Sequence, residues 1–361
     1  MQERLNWIKS VKNKLPEFLK SMKLERSGQY KFSYVGDFYS SEIVWGLGQT
    51  VFASKLYYIL NNKHLLEDNK NALAEFILLF SNSNGQIHDP LIQRLNRLSR
   101  IKKFFFNKDT RNLFNSMTRR AETRQAFAAL ECLGKIPPKN NLEISFNNKF
   151  FEDYINSLDW NKPYASGSHF GHLLYFLSIE KKYFNMKEEE FSYLLDISLN
   201  QLSRYLQEDG FWYFSDNPGL TQKINGSMKI ITGLDAVNKI EDNIAVERLI
   251  DGCLEFFDTN GACNNFDVIY TLSKCKKISS YRNKEVINFA YSHLDLFKNH
   301  YFPELGGFSF FPKNPNSHYY GAKINKSLEG PDMQGTLLYM WGIVLICYMI
   351  DSDFNFKEPI T

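Results

Sequence analysis

The sequence predicts an all-α protein built as an (α/α)6 toroid, a double ring of alternating inner and outer helices. Three observations carry that prediction. Period-2 alternation bounded by turn residues is nearly absent, so strands should be scarce. Helical periodicity comes in two kinds that alternate along the chain: amphipathic segments, and segments apolar on almost every side after a polar start. A loop-then-helix unit also recurs with one grammar, from Gly210-Phe211-Trp212 and again from Gly306-Gly307-Phe308, with fainter copies at Gly85 and Gly261. Repeated units of this kind stack and bury each other's apolar faces.

Taken in chain order, residues 1–40 open on a charged amphipathic pattern and are expected to form an N-terminal helical extension. Segments 71–80, 149–157, 188–207, 244–257 and 283–297 each keep a charged face and are predicted outer helices. Segments 42–60, 121–133, 166–179, 225–237, 264–275 and 332–350 are the predicted buried inner helices. The basic stretch 93–120, with Arg94, Arg97, Arg100, Arg119 and Arg120, reads as an arm or lid, or as a solvated helix face. Residues 351–361 read as a tail against the surface. No Pro/Gly/Ser-rich linker divides the chain, so residues 1–361 are expected to form one domain. In such a ring all inner helices point the same way. Their polar N-termini, rich in unsatisfied N–H groups and positive dipole ends, would gather at one mouth suited to anions.

Composition narrows the class. The 43 basic and 40 acidic residues leave a net charge of +3, too weak a bias for nucleic-acid binding. Aromatic residues make up 16% of the chain, which suits a large core or an aromatic-lined cavity, although an AT-rich genome gives the same enrichment. The five cysteines form no CxxC pair, so neither a disulfide framework nor a zinc cluster is legible, and a reducing, cytoplasmic setting is expected. The longest apolar run, 337–350, is too short to span a bilayer and is interrupted by Gly342.

The Gly306-Gly307-Phe308 loop, the related Asp209-Gly210-Phe211 and the inner-helix segment 123–130 resemble the terpenoid-cyclase and protein-prenyltransferase type of α/α toroid. The resemblance covers most of the chain, from 42 to 350. Similar toroids also carry glycoside hydrolases, polysaccharide lyases and epimerases, so the fold does not fix the function. The chain departs from each family motif. It has no Asp-x-Asp-Asp acid of class II cyclases, and Asp242, Asn243 and Glu247 only echo a class I metal motif. Asp267 is followed by Val268, where prenyltransferases carry an Asp-x-Cys zinc pair, and the Cys-His pair of lanthionine cyclases is missing. No metal and no other cofactor is therefore expected.

The candidate site residues come from the polar helix starts. Glu122 suits a general acid or base and Arg124 an anion clamp, or the two form a structural salt bridge. His169 and His172, three apart, share one helical face and suit proton transfer or substrate binding. Asn225 reads as a helix cap or a substrate contact, and Lys229 is unusual within an apolar helix. Asn264, Asn265, Asp267 and Tyr270 are similar to the Asn-rich helix start of toroidal polysaccharide lyases, in which Asn neutralises a uronate and Tyr or His moves protons. Asp332, after Pro331, caps a helix or serves as a catalytic carboxylate. His318, Tyr319 and Trp212 are candidate substrate platforms.

The leading expectation is an enzyme acting on an anionic carbohydrate, such as a uronate-containing glycan, by hydrolysis or β-elimination. Glu122, Asp267 or Asp332 would supply carboxylates, and His169 or Tyr270 a base. Arg124, His172, Asn225, Lys229, Asn264, Asn265, His318, Tyr319 and Trp212 would bind the substrate. The alternatives are a terpene or prenyl diphosphate cyclase or transferase, and a non-catalytic toroid that binds a glycan or a protein.

Overall fold

The computed structural model describes residues 2–97, 100–102, 105, 116–139, 144–214, 217–258 and 260–361. Their helices are, in chain order, α1 (Gln2–Ser21), α2 (Leu47–Ile59), α3 (Lys63–Leu78), α4 (Pro90–Leu95), α5 (Ser116–Cys132), α6 (Asn148–Asn156), α7 (Pro163–Tyr183), α8 (Glu188–Ser203), α9 (Leu220–Ala236), α10 (Val246–Leu254), α11 (Ala262–Ile278), α12 (Asn283–Phe297) and α13 (Met333–Met349). The described strands are two-residue ladders: β1 (Tyr301–Phe302) pairs antiparallel with β2 (Gly307–Phe308), and β3 (His318–Tyr319) with β4 (Ala322–Lys323). No described helix is long and apolar enough to cross a membrane.

The chain divides into two compact units. The first holds Met1–Asn140, Thr259–Cys263 and Tyr291–Ile360; the second holds Asn141–Asp258, Asn264–Ala290 and Thr361. In the first unit every residue of α2 except Tyr58 is buried, and α2 packs against α3, α5 and α13. The C-terminal tail lies on this core, with Lys357 N donating to the Ile59 carbonyl at 3.1 Å and Ile360 N to Cys132 Sγ at 3.4 Å. A helix apolar on all sides requires neighbours on all sides, and α2 and α13 have them.

In the second unit α7 and α9 touch backbone to backbone. A Cβ at Gly167 would lie 2.4 Å from the Gly226 carbonyl oxygen, and one at Gly171 would lie 2.4 Å from that of Lys229. Small residues at these crossings bring the axes together and maximise contact between the two rods. Helices α6 and α8 pack alongside each other in the same unit.

The recurring loop is real, and it has a defined geometry. Gly28, Gly85, Gly210 and Gly306 all take left-handed φ, at 77°, 72°, 85° and 74°. Each turns the chain so that flanking residues bridge antiparallel: Lys23 with Tyr30, Ser81 with Ile87, Leu206 with Trp212, and Tyr301 with Phe308. The Gly28 copy was not among those read from the sequence. The Gly261 copy does not share the geometry: it is not among the left-handed glycines and runs straight into α11.

Several boundaries move. The predicted helix 225–237 starts at Leu220, which puts Asn225 more than a turn inside α9 instead of at its cap. The predicted 42–60 starts at Leu47, after Gly46 at φ 100°. The predicted 166–179 starts at Pro163, a residue pre-set for a helix's first turn. The predicted 332–350 is met by α13, with Asp332 as N-cap. Most of the proposed 93–120 arm lies outside the described residues.

Candidate active site

Asp89 organises one corner of the first unit. As N-cap of α4 it accepts a hydrogen bond from Leu91 N at 2.9 Å through one oxygen. Its other oxygen accepts from Gly46 N at 2.8 Å and Leu47 N at 3.4 Å, at the start of α2. One carboxyl thus closes two helix ends. Burial raises its pKa from the usual carboxylate range, against the pull of these amides.

Glu122 lies beside it on α5, 1% exposed. The register of α5 is set one residue on: Thr123 Oγ1 accepts from Ile87 N at 3.1 Å, binding the helix to the Gly85 turn. Glu122 Oε2 accepts from Gln93 Nε2 at 2.8 Å, while Oε1 has no hydrogen-bond partner among the described residues. Burial first, and then the Asp89 charge, push the Glu122 carboxyl well above its ordinary pKa; Gln93 and the Asp89 N–H oppose them. The result is a buried carboxyl that holds its proton more tightly than an ordinary glutamate, with Oε1 lacking a hydrogen-bond partner among the described residues.

Aromatic rings surround this acid's neighbour, Tyr319. Gly48 on α2 makes room for it, since a Cβ there would fall 2.6 Å from Tyr319 Cζ. Tyr320, Phe52 and Phe32 lie 4.6, 6.0 and 6.3 Å from the Tyr319 ring, centroid to centroid. Burial raises the Tyr319 phenol pKa, and Tyr320, Glu122 and Asp89 add to it. Deeper along α2, buried Lys55 donates to Gln125 Oε1 at 3.1 Å and lies 5.3 Å from the Trp341 ring. Sequence reading missed Asp89, Gln93 and Lys55. The Asp89-Pro90 pair carried a helix-start signal that would have marked the first.

The other predicted residues are placed as follows. Asp332 accepts from Phe310 N at 2.7 Å through Oδ2 and from Gly335 N at 2.8 Å through Oδ1. Both oxygens thus hold backbone, and burial pushes the carboxyl up to about 7. Arg124 is buried on α5; His318 is exposed, its Nδ1 2.9 Å from Ser317 Oγ.

In the second unit the structure brings Lys229 and Asp267 together, Nζ to Oδ1 at 4.0 Å, with Lys229 5.7 Å from the Tyr164 ring. Burial raises Asp267 to about 6 against the Lys229 charge. The Asn225 and Asn264 side-chain amides meet at 2.9 Å, Asn264 Nδ2 donates to Asp258 Oδ2 at 2.5 Å, and Asn265 is fully buried. The His169 and His172 rings meet edge to face at 5.9 Å. Tyr270 donates to Asp235 Oδ2 at 3.2 Å, an oxygen that also accepts from Lys274 Nζ at 2.7 Å. Trp212, 1% exposed, is held in its hairpin and borders a surface pocket of about 190 Å³. A larger open groove of about 490 Å³, lined by Asp209, Lys223, Arg248 and Asp251 among others, includes none of the predicted residues. Among the described residues no group of three or more His, Cys, Asp or Glu side chains could hold a metal ion.

No family model and no curated protein sequence matches the chain. Two solved structures are similar to it, both of the type II terpene cyclase MstE from Scytonema, in two variants, in complex with the substrate geranylgeranyl dihydroxybenzoate. Each is 14% identical at a TM-score of 0.46, over 97% of this chain and 99% or 98% of its own. The terpenoid-cyclase resemblance drawn from the glycine loops names the same group. The expectation of a glycoside hydrolase or lyase acting on an anionic oligosaccharide is corrected: the similar structures are terpene cyclases bound to a prenylated substrate.

Proposed function

We propose that this chain is an enzyme that cyclises an isoprenoid chain by protonating it, with Glu122 as the acid. The carrying observation is the Glu122 carboxyl, buried, with its pKa raised by that burial and Oε1 free of hydrogen bonds among the described residues. Such a group carries its proton into a dry setting where no water competes for it; because a raised pKa also makes it a weaker acid, transfer to an alkene has to draw on stabilisation of the cation that forms. The reading includes the α/α toroid as a single domain.

In this mechanism the Glu122 O–H proton is transferred to the less substituted carbon of a terminal trisubstituted alkene. The π pair forms the new C–H bond and leaves a tertiary cation. The next alkene's π pair closes a ring onto that cation, and loss of a proton from a neighbouring carbon ends the sequence. The product is an isomer of the substrate, and solvent returns the proton to Glu122. The faces of Tyr319, Tyr320 and Phe52 supply quadrupole stabilisation to the cation. Gln93 orients the acid through Oε2. Asp89 holds the start of α2 and, after burial, adds to the upward shift of the Glu122 pKa.

The test is incubation with geranylgeranyl dihydroxybenzoate and, separately, geranylgeranyl diphosphate, in ordinary and heavy water. A cyclic isomer carrying one carbon-bound deuterium from heavy water, with no release of diphosphate, is expected. Release of diphosphate, or a product without deuterium, would overturn the assignment of Glu122 as the acid.

A further inference from the structure

Residues 32–38 and 324–333 of the first unit form a ribbon whose backbone is satisfied from within. Tyr34 N donates to the Pro331 carbonyl at 3.0 Å, Phe38 N to that of Ile324 at 3.0 Å, and Lys326 N to that of Gly36 at 2.9 Å. Asp37 accepts from Phe32 N at 2.7 Å and Ser33 N at 3.0 Å. Three of the ribbon's five exposed residues are apolar, the other two being Lys326 and Glu329. Val35 is 42% exposed, Phe38 44% and Leu328 48%; Ile43 and Val44 follow at 43% and 42%. A Cβ at Gly36 would lie 3.2 Å from Leu328 Cγ, and one at Gly330 would lie 3.8 Å from Val35 Cγ2, so Val35 and Leu328 share one surface. Gly330 N donates to the Lys313 carbonyl at 2.9 Å, which brings Phe311, 42% exposed, to its edge.

The rim of this surface is basic. Lys323 Nζ lies 5.9 Å from the Phe38 ring and Lys31 Nζ 5.9 Å from the Tyr34 ring. With Lys313 and Lys326 these make four lysines against three carboxyl groups, Glu42, Glu329 and the half-buried Asp37. Single exposed apolar residues are ordinary, but a contiguous set rimmed by charge marks an interaction surface. The apolar side chains are exposed on a ribbon whose rim carries more lysines than carboxyl groups. Apolar tips that enter an interface, under lysines that reach anionic headgroups, match a bilayer carrying negative lipid.

We propose that this ribbon docks the protein on an anionic membrane surface. The inference is independent of the cyclase reading, and a failure of either leaves the other standing. The full chain is sedimented with vesicles of phosphatidylcholine alone and of phosphatidylcholine mixed with phosphatidylserine. Binding is expected to the mixed vesicles and to weaken with added salt. The variant Val35→Ser, Phe38→Ser, Leu328→Ser should lose about tenfold or more in partitioning. Lys323→Glu with Lys326→Glu should lose a similar factor and the preference for phosphatidylserine. Neither set should change the melting transition, because all five residues are exposed. Absence of binding to both vesicles, or unchanged binding by the triple serine variant, would overturn the proposal. So would a wild-type dimer that the serine variant turns into monomer, which would assign the surface to a second copy.

Discussion

Asp332 and Glu122 are 0% and 1% exposed, and burial lifts both carboxyl groups, yet the first unit uses them in opposite ways. Asp332 gives both oxygens to backbone amides, one in the Phe308 loop region and one in the first turn of α13. Glu122 gives one oxygen to the Gln93 side chain and keeps the other uncommitted among the described residues. Depth in the protein therefore does not separate a structural carboxyl from a chemical one. The count of committed oxygens does.

Three substitutions and one titration sharpen that contrast. Glu122→Gln preserves shape and the contact to Gln93 while removing the acidic proton. Turnover should fall by roughly 10²–10⁴-fold, with unfolding free energy within about 1 kcal/mol of the parent. Equal loss of both in paired kinetic and denaturant measurements would return Glu122 to a structural role. Asp332→Ala should do the reverse. It strands the Phe310 and Gly335 N–H groups and should lower stability by about 2–4 kcal/mol in chemical denaturation, with any activity lost only through the fold.

Asp267 provides an intermediate case, a buried carboxyl facing the Lys229 cation across 4.0 Å. Its pKa, raised from 3.8 to about 6, means that the folded state binds the proton more tightly than the unfolded chain. Its contribution to stability is therefore full below about pH 4, falls as pH rises to about 6, and is flat above. The whole change is on the order of 3 kcal/mol. Denaturant curves across this range should be flatter for Asp267→Asn than for the parent, and parallel curves would show that Asp267 does not titrate there. The smallest effect should come from Tyr319→Phe. It keeps the ring against Gly48 and should lower turnover about tenfold or less, measured as kcat beside an unchanged melting temperature.

How much of this was legible in the sequence differs by residue. Asp332 was readable as a helix start because cap, preceding proline and apolar run are contiguous. Asn225-Gly226 read as a start because a capping Asn precedes an apolar run, and was not one. Gly226 lies mid-helix because a Cβ there would be 2.7 Å from the Pro163 carbonyl oxygen, a packing demand invisible without the partner helix. The Gly210 and Gly306 turns were legible as a repeat, since each is a local φ requirement. Asp89 was hidden because its partners, Gly46 and Leu47, lie more than forty residues away, and Tyr319 meets Gly48 from nearly the other end of the chain. The glycan reading came from residue types gathered at expected helix ends. Residue type alone could not say which oxygens would be consumed by amides.

The glycine seam between α7 and α9 has a consequence for anyone who would recombine or redesign this chain. With backbone oxygens set where a methyl group would go at Gly167 and Gly171, neither rod can rotate or slide without collision. The pair must be transplanted together, as one indivisible block, or replaced together.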